Sequence, residues 1–202
     1  MSLVYSHITP DDGYFKLYNT EFPYQYDTLY KNIKNNVYHC DGYSVNSRHS
    51  GIFTTISENV GNPFCKDWEY IPQRYVYQEM PVILKELMVI AQNICRHHKL
   101  TEAIVNVYGH GDFIAYHKDY HEENKKPIAV MCSFEQDKDT THTLEFYRTL
   151  DDPKTTRKDR SDEGYSLFIP LKNNSVAIMD GMQRRYVHAL HPGKKRISVV
   201  FR

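Results

Sequence analysis

Several features that mark particular protein classes are missing from this sequence. Its 202 residues contain no internal repeat, no low-complexity tract and no apolar run of about eighteen residues, the length that would indicate a transmembrane helix. Residues 1–12 carry neither the basic stretch nor the apolar core of a secretory signal. We therefore expect an intracellular protein, in the cytoplasm or the nucleus, with no membrane partner.

The chain also has no excess of charge of either sign. It has 25 Lys and Arg residues against 25 Asp and Glu residues. Proteins that hold nucleic acid by bulk attraction need a strongly basic surface, so this class is excluded. The balance is uneven along the chain, because residues 171–202 contain seven basic residues and one acidic residue. This C-terminal segment can attract an anion.

No Cys-x-x-Cys pair is present, which excludes zinc ribbons and thioredoxin-type redox motifs. The four cysteines lie far apart, and we interpret them as reduced, mostly buried thiols. They are Cys40, Cys65, Cys95 and Cys132. Residues 149–164 are dense in charge and poor in apolar residues, and we interpret them as a surface insertion between strands.

Hydrophobic spacing predicts helices before residue 100 and strands after it. Tyr26, Leu29, Tyr30 and Ile33 recur at helical spacing, and a stronger helical pattern follows Pro81. Eight later runs rich in Val, Ile, Tyr and Phe predict short strands: residues 103–108, 113–117, 128–134, 143–147, 166–171, 175–179, 185–190 and 196–201. The predicted fold class is α+β, mainly β: a double-sheet jelly roll buttressed by N-terminal helices.

A His-x-Asp tripeptide is the first candidate for chemistry. His117 and Asp119 lie two residues apart at the end of a predicted strand, so their side chains share a face. A third imidazole would complete the 2-His-1-carboxylate facial triad of a non-haem Fe(II) centre. His188, on a predicted strand, is the better candidate, and His191, in a turn before Pro192, is the alternative. With 11 histidines in the chain, the tripeptide alone is also compatible with a solvated turn.

The last predicted strand carries the second candidate. Arg196, Ser198, Val200 and Arg202 are spaced two apart and therefore line one face, while Ile197, Val199 and Phe201 line the other. The polar face either lies outside the barrel in solvent or faces its interior. In the second case the guanidinium groups could clamp a dicarboxylate, because their planar fork matches a carboxylate.

Taken in order, these motifs resemble the AlkB-like branch of the 2-oxoglutarate- and Fe(II)-dependent dioxygenases. The resemblance covers residues 100–202 well and residues 40–100 loosely. It implies a single dioxygenase domain, 1–202, with a jelly-roll catalytic core at 101–202 and N-terminal helices and a substrate-lid segment at 1–100. The residues that carry it are Asn106-Val107-Tyr108, His117-Lys118-Asp119, His188, the strand Arg196 to Arg202 and, less specifically, Ser47-Arg48-His49 and Met80-Pro81.

This resemblance implies specific roles for the residues that match. His117, Asp119 and His188 would bind Fe(II). The cosubstrates would be 2-oxoglutarate and O2, and the residues that contact 2-oxoglutarate would be Asn106, Tyr108, Arg196, Ser198 and Arg202.

The resemblance further implies hydroxylation of a substrate C–H bond. On an N-methyl group of a nucleic acid base this chemistry releases formaldehyde, together with succinate and CO2. We therefore expect a monomeric demethylase of DNA or RNA that contacts its substrate locally, through Arg48, Tyr43, Tyr75, Tyr77 and His121. His121 stands where base-repair relatives often have an acid. A hydroxylase or demethylase of protein side chains or small molecules, and a catalytically silent binding module, remain alternatives.

Overall fold

The computed structural model describes residues 1–8, 13–40, 48–64, 75–96, 99–117, 128–137, 139, 141–148, 166–182 and 186–202. Within them the α-helices are Tyr26–Ile33 (α1) and Val82–Cys95 (α2), and two short 3-10 helices span Lys34–Asn36 and Ser57–Asn59. The strands in chain order are Ser2–Ile8 (β1), Tyr14–Asn19 (β2), Tyr38–His39 (β3), His49–Thr54 (β4), Tyr77–Glu79 (β5), Glu102–Tyr108 (β6), Ile114–His117 (β7), Ile128–Glu135 (β8), Thr141–Arg148 (β9), Ser166–Lys172 (β10), Ser175–Asp180 (β11), Tyr186–Leu190 (β12) and Arg196–Phe201 (β13).

These strands form two sheets. The larger sheet has the order β1-β2-β11-β8-β13-β6-β4-β3, and β5 pairs with β4. The smaller sheet has the order β10-β9-β12-β7. The β4–β5 pair is parallel, whereas the other described pairs are antiparallel. The last strand, β13, thus lies inside the larger sheet, between β8 and β6.

The larger sheet is covered on both faces. One face packs against the two helices, through a core that includes Leu29, Leu84 and Val199. The other face packs against the smaller sheet, and the rings of Phe15 and Phe146 meet there with centroids 5.3 Å apart. Strands buried on both faces are apolar along their length, and every residue of β11 is buried accordingly.

The helices act as scaffold because each one buries a single apolar stripe. In α2 the buried residues recur at helical spacing, and they are Ile83, Leu84, Leu87, Ala91 and Cys95. Pro81 precedes the helix, as predicted, and its carbonyl accepts a hydrogen bond from the Leu84 N–H at 3.0 Å. No helix within the described ranges is long and apolar enough to cross a membrane.

The structure confirms the predicted jelly roll with its N-terminal helices, and all eight strands predicted after residue 100 are present. The five strands β1 to β5 were not predicted. The patterns of β1 and β4 explain their omission, because β1 is exposed along most of its length and β4 is buried at five successive residues. Strand β2 does alternate, with Phe15 and Leu17 buried, and was nevertheless missed. The surface insertion predicted at 149–164 lies outside the described residues.

Candidate active site

A cavity of about 290 Å³ lies between the two sheets. Its walls follow the alternation of side chains along the strands. On β6, for example, Asn106 and Tyr108 line the cavity, whereas Ala103, Val105 and Val107 belong to the core beside the helices. Most of the cavity is therefore built by the inner faces of regular strands, which hold their side chains rigidly, while Arg48, Phe64 and Tyr75 reach it from outside the strands.

Strand β13 supplies the most polar part of this wall. Arg196, Ser198, Val200 and Arg202 line the cavity, and Ile197, Val199 and Phe201 lie in the core on the opposite side. The polar face is therefore the inner face, which decides between the two placements that the sequence allowed. That the arginines bind a dicarboxylate stays a prediction.

Arg196, the first residue of β13, is completely buried. Its Nη2 donates a hydrogen bond to Ser133 Oγ at 2.9 Å, and its Nε lies 3.4 Å from Glu135 Oε1. The guanidinium lies over the Tyr108 ring, 5.6 Å from the centroid. Burial lowers the pKa of Arg196, while the Glu135 carboxylate raises it. A guanidinium keeps its charge in such a site, so Arg196 is a fixed cation in a dry wall.

Asn106 is held in one orientation by two donors. Arg48 Nε and Ser50 Oγ both donate to Asn106 Oδ1, at 2.9 and 3.0 Å. Because the oxygen accepts both bonds, the amide Nδ2 is left as a donor for another group. Ser50 was not predicted as a site residue. Arg48 directly precedes β4 and Ser50 lies in it, and this spacing of two is the signal that could have identified Ser50.

Tyr108 adds a hydroxyl to the same wall. Burial raises the pKa of Tyr108, while Arg48, Arg196 and a hydrogen bond with Ser198 lower it. The phenol therefore stays protonated at neutral pH and can donate a hydrogen bond.

The cavity is electrostatically positive. Arg48, Arg196 and Arg202 line it, and no Asp or Glu does so among the described residues. Desolvated arginines surrounded by hydroxyl and amide groups favour a small anion with carboxylate geometry. The arrangement can therefore hold a compound such as a dicarboxylate.

Two histidines face each other on the smaller sheet. His117 of β7 and His188 of β12 are paired directly across the strands, with ring centroids 4.2 Å apart, and both line the cavity. His117 Nδ1 lies 2.8 Å from the Ala115 carbonyl oxygen, so Nδ1 carries the proton and Nε2 is the nitrogen whose lone pair can bind a metal. Two imidazoles placed in this way fit two ligands of a metal ion.

The third predicted ligand, Asp119, lies outside the described residues. Within the described residues, no group of three or more His, Cys, Asp or Glu side chains is arranged to hold a metal. The alternative ligand His191 is occupied elsewhere, because its Nε2 lies 2.9 Å from Glu145 Oε2 and its side chain is 44% exposed. The geometry therefore favours His188 over His191.

The residues predicted to contact substrate are separated by the structure. Arg48 and Tyr75 line the cavity, as does Phe64, which was not predicted. Tyr77 instead donates its hydroxyl to Glu102 Oε1 at 2.7 Å, and its ring packs on the edge of Phe64. Tyr43 and His121 lie outside the described residues.

Comparisons with known proteins agree with this geometry. Residues 28–202 match the family model of the 2OG-Fe(II) oxygenase superfamily, where 2OG denotes 2-oxoglutarate. No curated protein sequence matches the chain significantly.

Two solved structures share the fold. The structure of OsALKBH1, an AlkB homologue, is 14% identical, covers 99% of both chains and has a TM-score of 0.59. A prolyl-4-hydroxylase from Pseudomonas putida is 8% identical, covers 93% of this chain and 90% of its own, and has a TM-score of 0.54. The prediction of an oxygenase with an AlkB-like fold is confirmed. The chain belongs to the 2OG-Fe(II) oxygenase superfamily and is a dioxygenase that uses Fe(II), 2-oxoglutarate and O2.

Proposed function

We propose that this dioxygenase removes methyl groups from nucleic acid bases of DNA or RNA by oxidation. The observation that carries the proposal is the gathering of Asn106, Tyr108, Arg196 and Arg202 around one cavity that also contains two facing histidines. Paired arginines with Asn-x-Tyr are the features through which the sequence resembles the AlkB-like branch. The likeness in fold to OsALKBH1 along nearly the whole chain supports the same branch.

In this proposal His117, His188 and Asp119 hold Fe(II). The donor set fits the metal, since two imidazoles and a carboxylate leave positions open for cosubstrate and oxygen. The hydrogen bond from His117 Nδ1 to the Ala115 carbonyl fixes the tautomer that presents Nε2 to the metal. Bound Fe(II) with 2-oxoglutarate and O2 supplies the oxidant: one oxygen atom enters succinate as CO2 is lost, and the other enters the substrate C–H bond.

The polar wall binds the cosubstrate. Arg196 pairs with the distal carboxylate of 2-oxoglutarate, and Ser198, Asn106, Tyr108 and Arg202 add hydrogen bonds or charge around it. Binding through a buried guanidinium excludes water from this end of the cavity and fixes the orientation of the cosubstrate.

Tyr75 and Phe64 lie on the cavity wall with Arg48 and supply aromatic faces for an extruded base. Apolar residues such as Leu144 and Met179 complete the lining and limit water near the methyl group. Once the methyl carbon carries a hydroxyl group, the C–N bond breaks, formaldehyde leaves and the base nitrogen regains its proton. Because the net charge of the chain is zero, contact with the strand is local and weakens with salt.

The test is turnover on a panel of methylated oligonucleotides. The protein is loaded anaerobically with Fe(II) and 2-oxoglutarate and then exposed to air with single- and double-stranded DNA and RNA. We expect formaldehyde above the no-substrate control and loss of one methyl group from the base mass. The double variant His117→Ala/Asp119→Ala should form neither formaldehyde nor succinate. Formaldehyde no greater than the no-substrate control across the panel would contradict nucleic acid demethylation.

A second candidate is hydroxylation of a protein side chain or a small molecule. The likeness in fold to the Pseudomonas putida prolyl-4-hydroxylase favours it, and so does His121 in place of an acid. The same assay separates the candidates. Oxidation of a peptide or metabolite without response to any oligonucleotide would support this second candidate.

A further inference from the structure

A buried carboxylate and a buried imidazole lie directly behind Arg196. Glu135 ends β8 and is paired across the sheet with Arg196 of β13. His142 lies on β9, in the smaller sheet. Neither residue lines the cavity within the described part of the chain, and nothing in the proposed reaction uses them.

The three side chains form a continuous row of close contacts between charged and polar groups, although the joining atoms do not meet the geometry of hydrogen bonds. Arg196 Nε lies 3.4 Å from Glu135 Oε1, and Glu135 Oε2 lies 2.9 Å from His142 Nδ1. The side chains of Arg196, Glu135 and His142 are 1%, 0% and 0% exposed. The row therefore joins the larger sheet to the smaller one at the positive end of the cavity, and water does not screen it.

His142 is fixed by the turn that precedes β13. A Cβ atom added at Gly193 would lie 2.2 Å from His142 Nε2, far closer than real contacts allow. The imidazole is therefore packed against the backbone at residue 193. This packing explains why glycine occupies that position, and it leaves the ring little freedom to turn away from Glu135.

The contacts of Arg196 show which part of its guanidinium is held. Glu135 lies at Nε, and Ser133 accepts from Nη2. Nη1 makes no hydrogen bond to any described residue. A planar guanidinium fixed along one edge presents its remaining nitrogen in a defined direction.

We propose that Glu135 and His142 are positioning residues, which hold the Arg196 guanidinium in the orientation that receives the distal carboxylate of 2-oxoglutarate. The inference rests on the proposed role of Arg196 as the cosubstrate clamp. His142 fixes Glu135, and Glu135 fixes Arg196. Because a preorganised cation does not have to reorient on binding, the row strengthens cosubstrate binding and leaves the oxidation step unchanged.

The test compares two ligands that differ only in the distal carboxylate. Binding of 2-oxoglutarate and of 2-oxopentanoate, which lacks that group, is measured by anaerobic calorimetry on the Fe(II)-loaded protein. Glu135→Ala and His142→Ala should each raise the Kd of 2-oxoglutarate about tenfold or more, because a buried charged contact that holds the row in place is lost. The Kd of 2-oxopentanoate should stay within about twofold. In uncoupled turnover the KM for 2-oxoglutarate should rise while kcat changes little.

Shape-matched amides test whether geometry is the cause. Glu135→Gln keeps an oxygen beside Arg196 Nε, and His142→Asn keeps a nitrogen near the position of Nδ1. Both should restore 2-oxoglutarate binding most of the way to wild type. The matched control is Glu145→Ala, which removes another buried carboxylate that lies 2.9 Å from a histidine, His191, and it should leave the Kd of 2-oxoglutarate unchanged.

Removing Glu135 leaves a buried cation without its partner, so the alanine variant can fail to fold. In that case Gly193→Ala displaces His142 without removing any charge. It should weaken the binding of 2-oxoglutarate but not that of 2-oxopentanoate. Wild-type affinity for 2-oxoglutarate in these variants, equal losses for both ligands, or failure of the amides to restore binding would overturn the inference. Equal affinity of the wild type for the two ligands would instead show that Arg196 does not bind the distal carboxylate, and the inference would fail for that separate reason.

Discussion

His117 and His188 lie directly opposite each other on neighbouring strands of the smaller sheet, with ring centroids 4.2 Å apart. One strand pair thus brings together residues that lie 71 positions apart in the sequence. We expect His188→Ala to lower Fe(II) affinity at least about tenfold, because even the loss of a residue that supports a ligand has this effect. Metal content after anaerobic reconstitution measures it.

His191→Ala is the matched control for this prediction. His191 contacts Glu145 and does not face His117, so its removal should leave the iron content at the wild-type level. Loss of iron in His191→Ala with retention in His188→Ala would reverse the assignment.

Arg48 is expected to affect cosubstrate binding as well as substrate binding. It donates to Asn106 Oδ1 at 2.9 Å, so Arg48→Met removes one of the two bonds that orient this amide. In uncoupled turnover without any oligonucleotide, the KM for 2-oxoglutarate should rise by about threefold to tenfold. Arg96→Met, at an exposed position after α2, is the control and should not change it. If Arg48→Met changed only the KM for the oligonucleotide, Arg48 would contribute to substrate binding and not to cosubstrate binding.

Tyr75 and Tyr77 should behave differently although only one residue separates them. Tyr75 lines the cavity, and loss of its ring in Tyr75→Ala should raise the KM for a methylated oligonucleotide about fivefold or more, as expected for one stacked base. Tyr77 is bonded to Glu102 instead, so Tyr77→Ala should lower the free energy of unfolding and change that KM little. Steady-state kinetics and urea denaturation measure the two effects. Equal rises in KM would mean that the base reaches beyond the cavity.

Ionisation of the Tyr26 phenol should lower the stability of the fold at alkaline pH. Burial raises the pKa of the Tyr26 phenol to about 12, with smaller contributions from Tyr30 and Asp27. Since the folded state holds this proton more tightly than the unfolded chain, the stabilisation is complete below pH 10 and is lost as pH rises towards 12. Wild type should therefore lose stability more steeply than Tyr26→Phe, by at most about 1.4 kcal/mol per pH unit. Parallel curves from urea denaturation at pH 9 to 12 would contradict this assignment.

The parts of the fold that could be predicted are those in which one residue type repeats with a clear period. The two faces of β13 are the best example, since polar and apolar residues alternate there and the structure places them in the cavity and the core. Strands β8 and β11 are buried on both faces, and they were predicted from short runs rich in strand-forming residues rather than from alternation. Strand β4 was missed because its two covered faces remove the alternation and because its first residues, His49, Ser50 and Gly51, are not strand-forming types.

Contacts between distant elements could not be predicted from spacing. The approach of His142 to Glu135 depends on how the two sheets stack, and neither residue belongs to a motif. In the same way, the hydroxyl of Tyr77 is directed to Glu102 by the pairing of β5 with β4. Alternation predicts which face a residue occupies, but the partner across that face depends on the tertiary arrangement.

The position of β13 between β8 and β6 restricts how this protein can change in length. Insertion or deletion of one residue within the strand would exchange the places of Arg196, Ser198 and Arg202 with those of Ile197, Val199 and Phe201. Charges would then enter the core beside the helices, and apolar side chains would fill the cavity. We therefore expect homologous sequences to tolerate substitutions in this strand but to show no gaps in it, whereas edge strands such as β1 can vary in length.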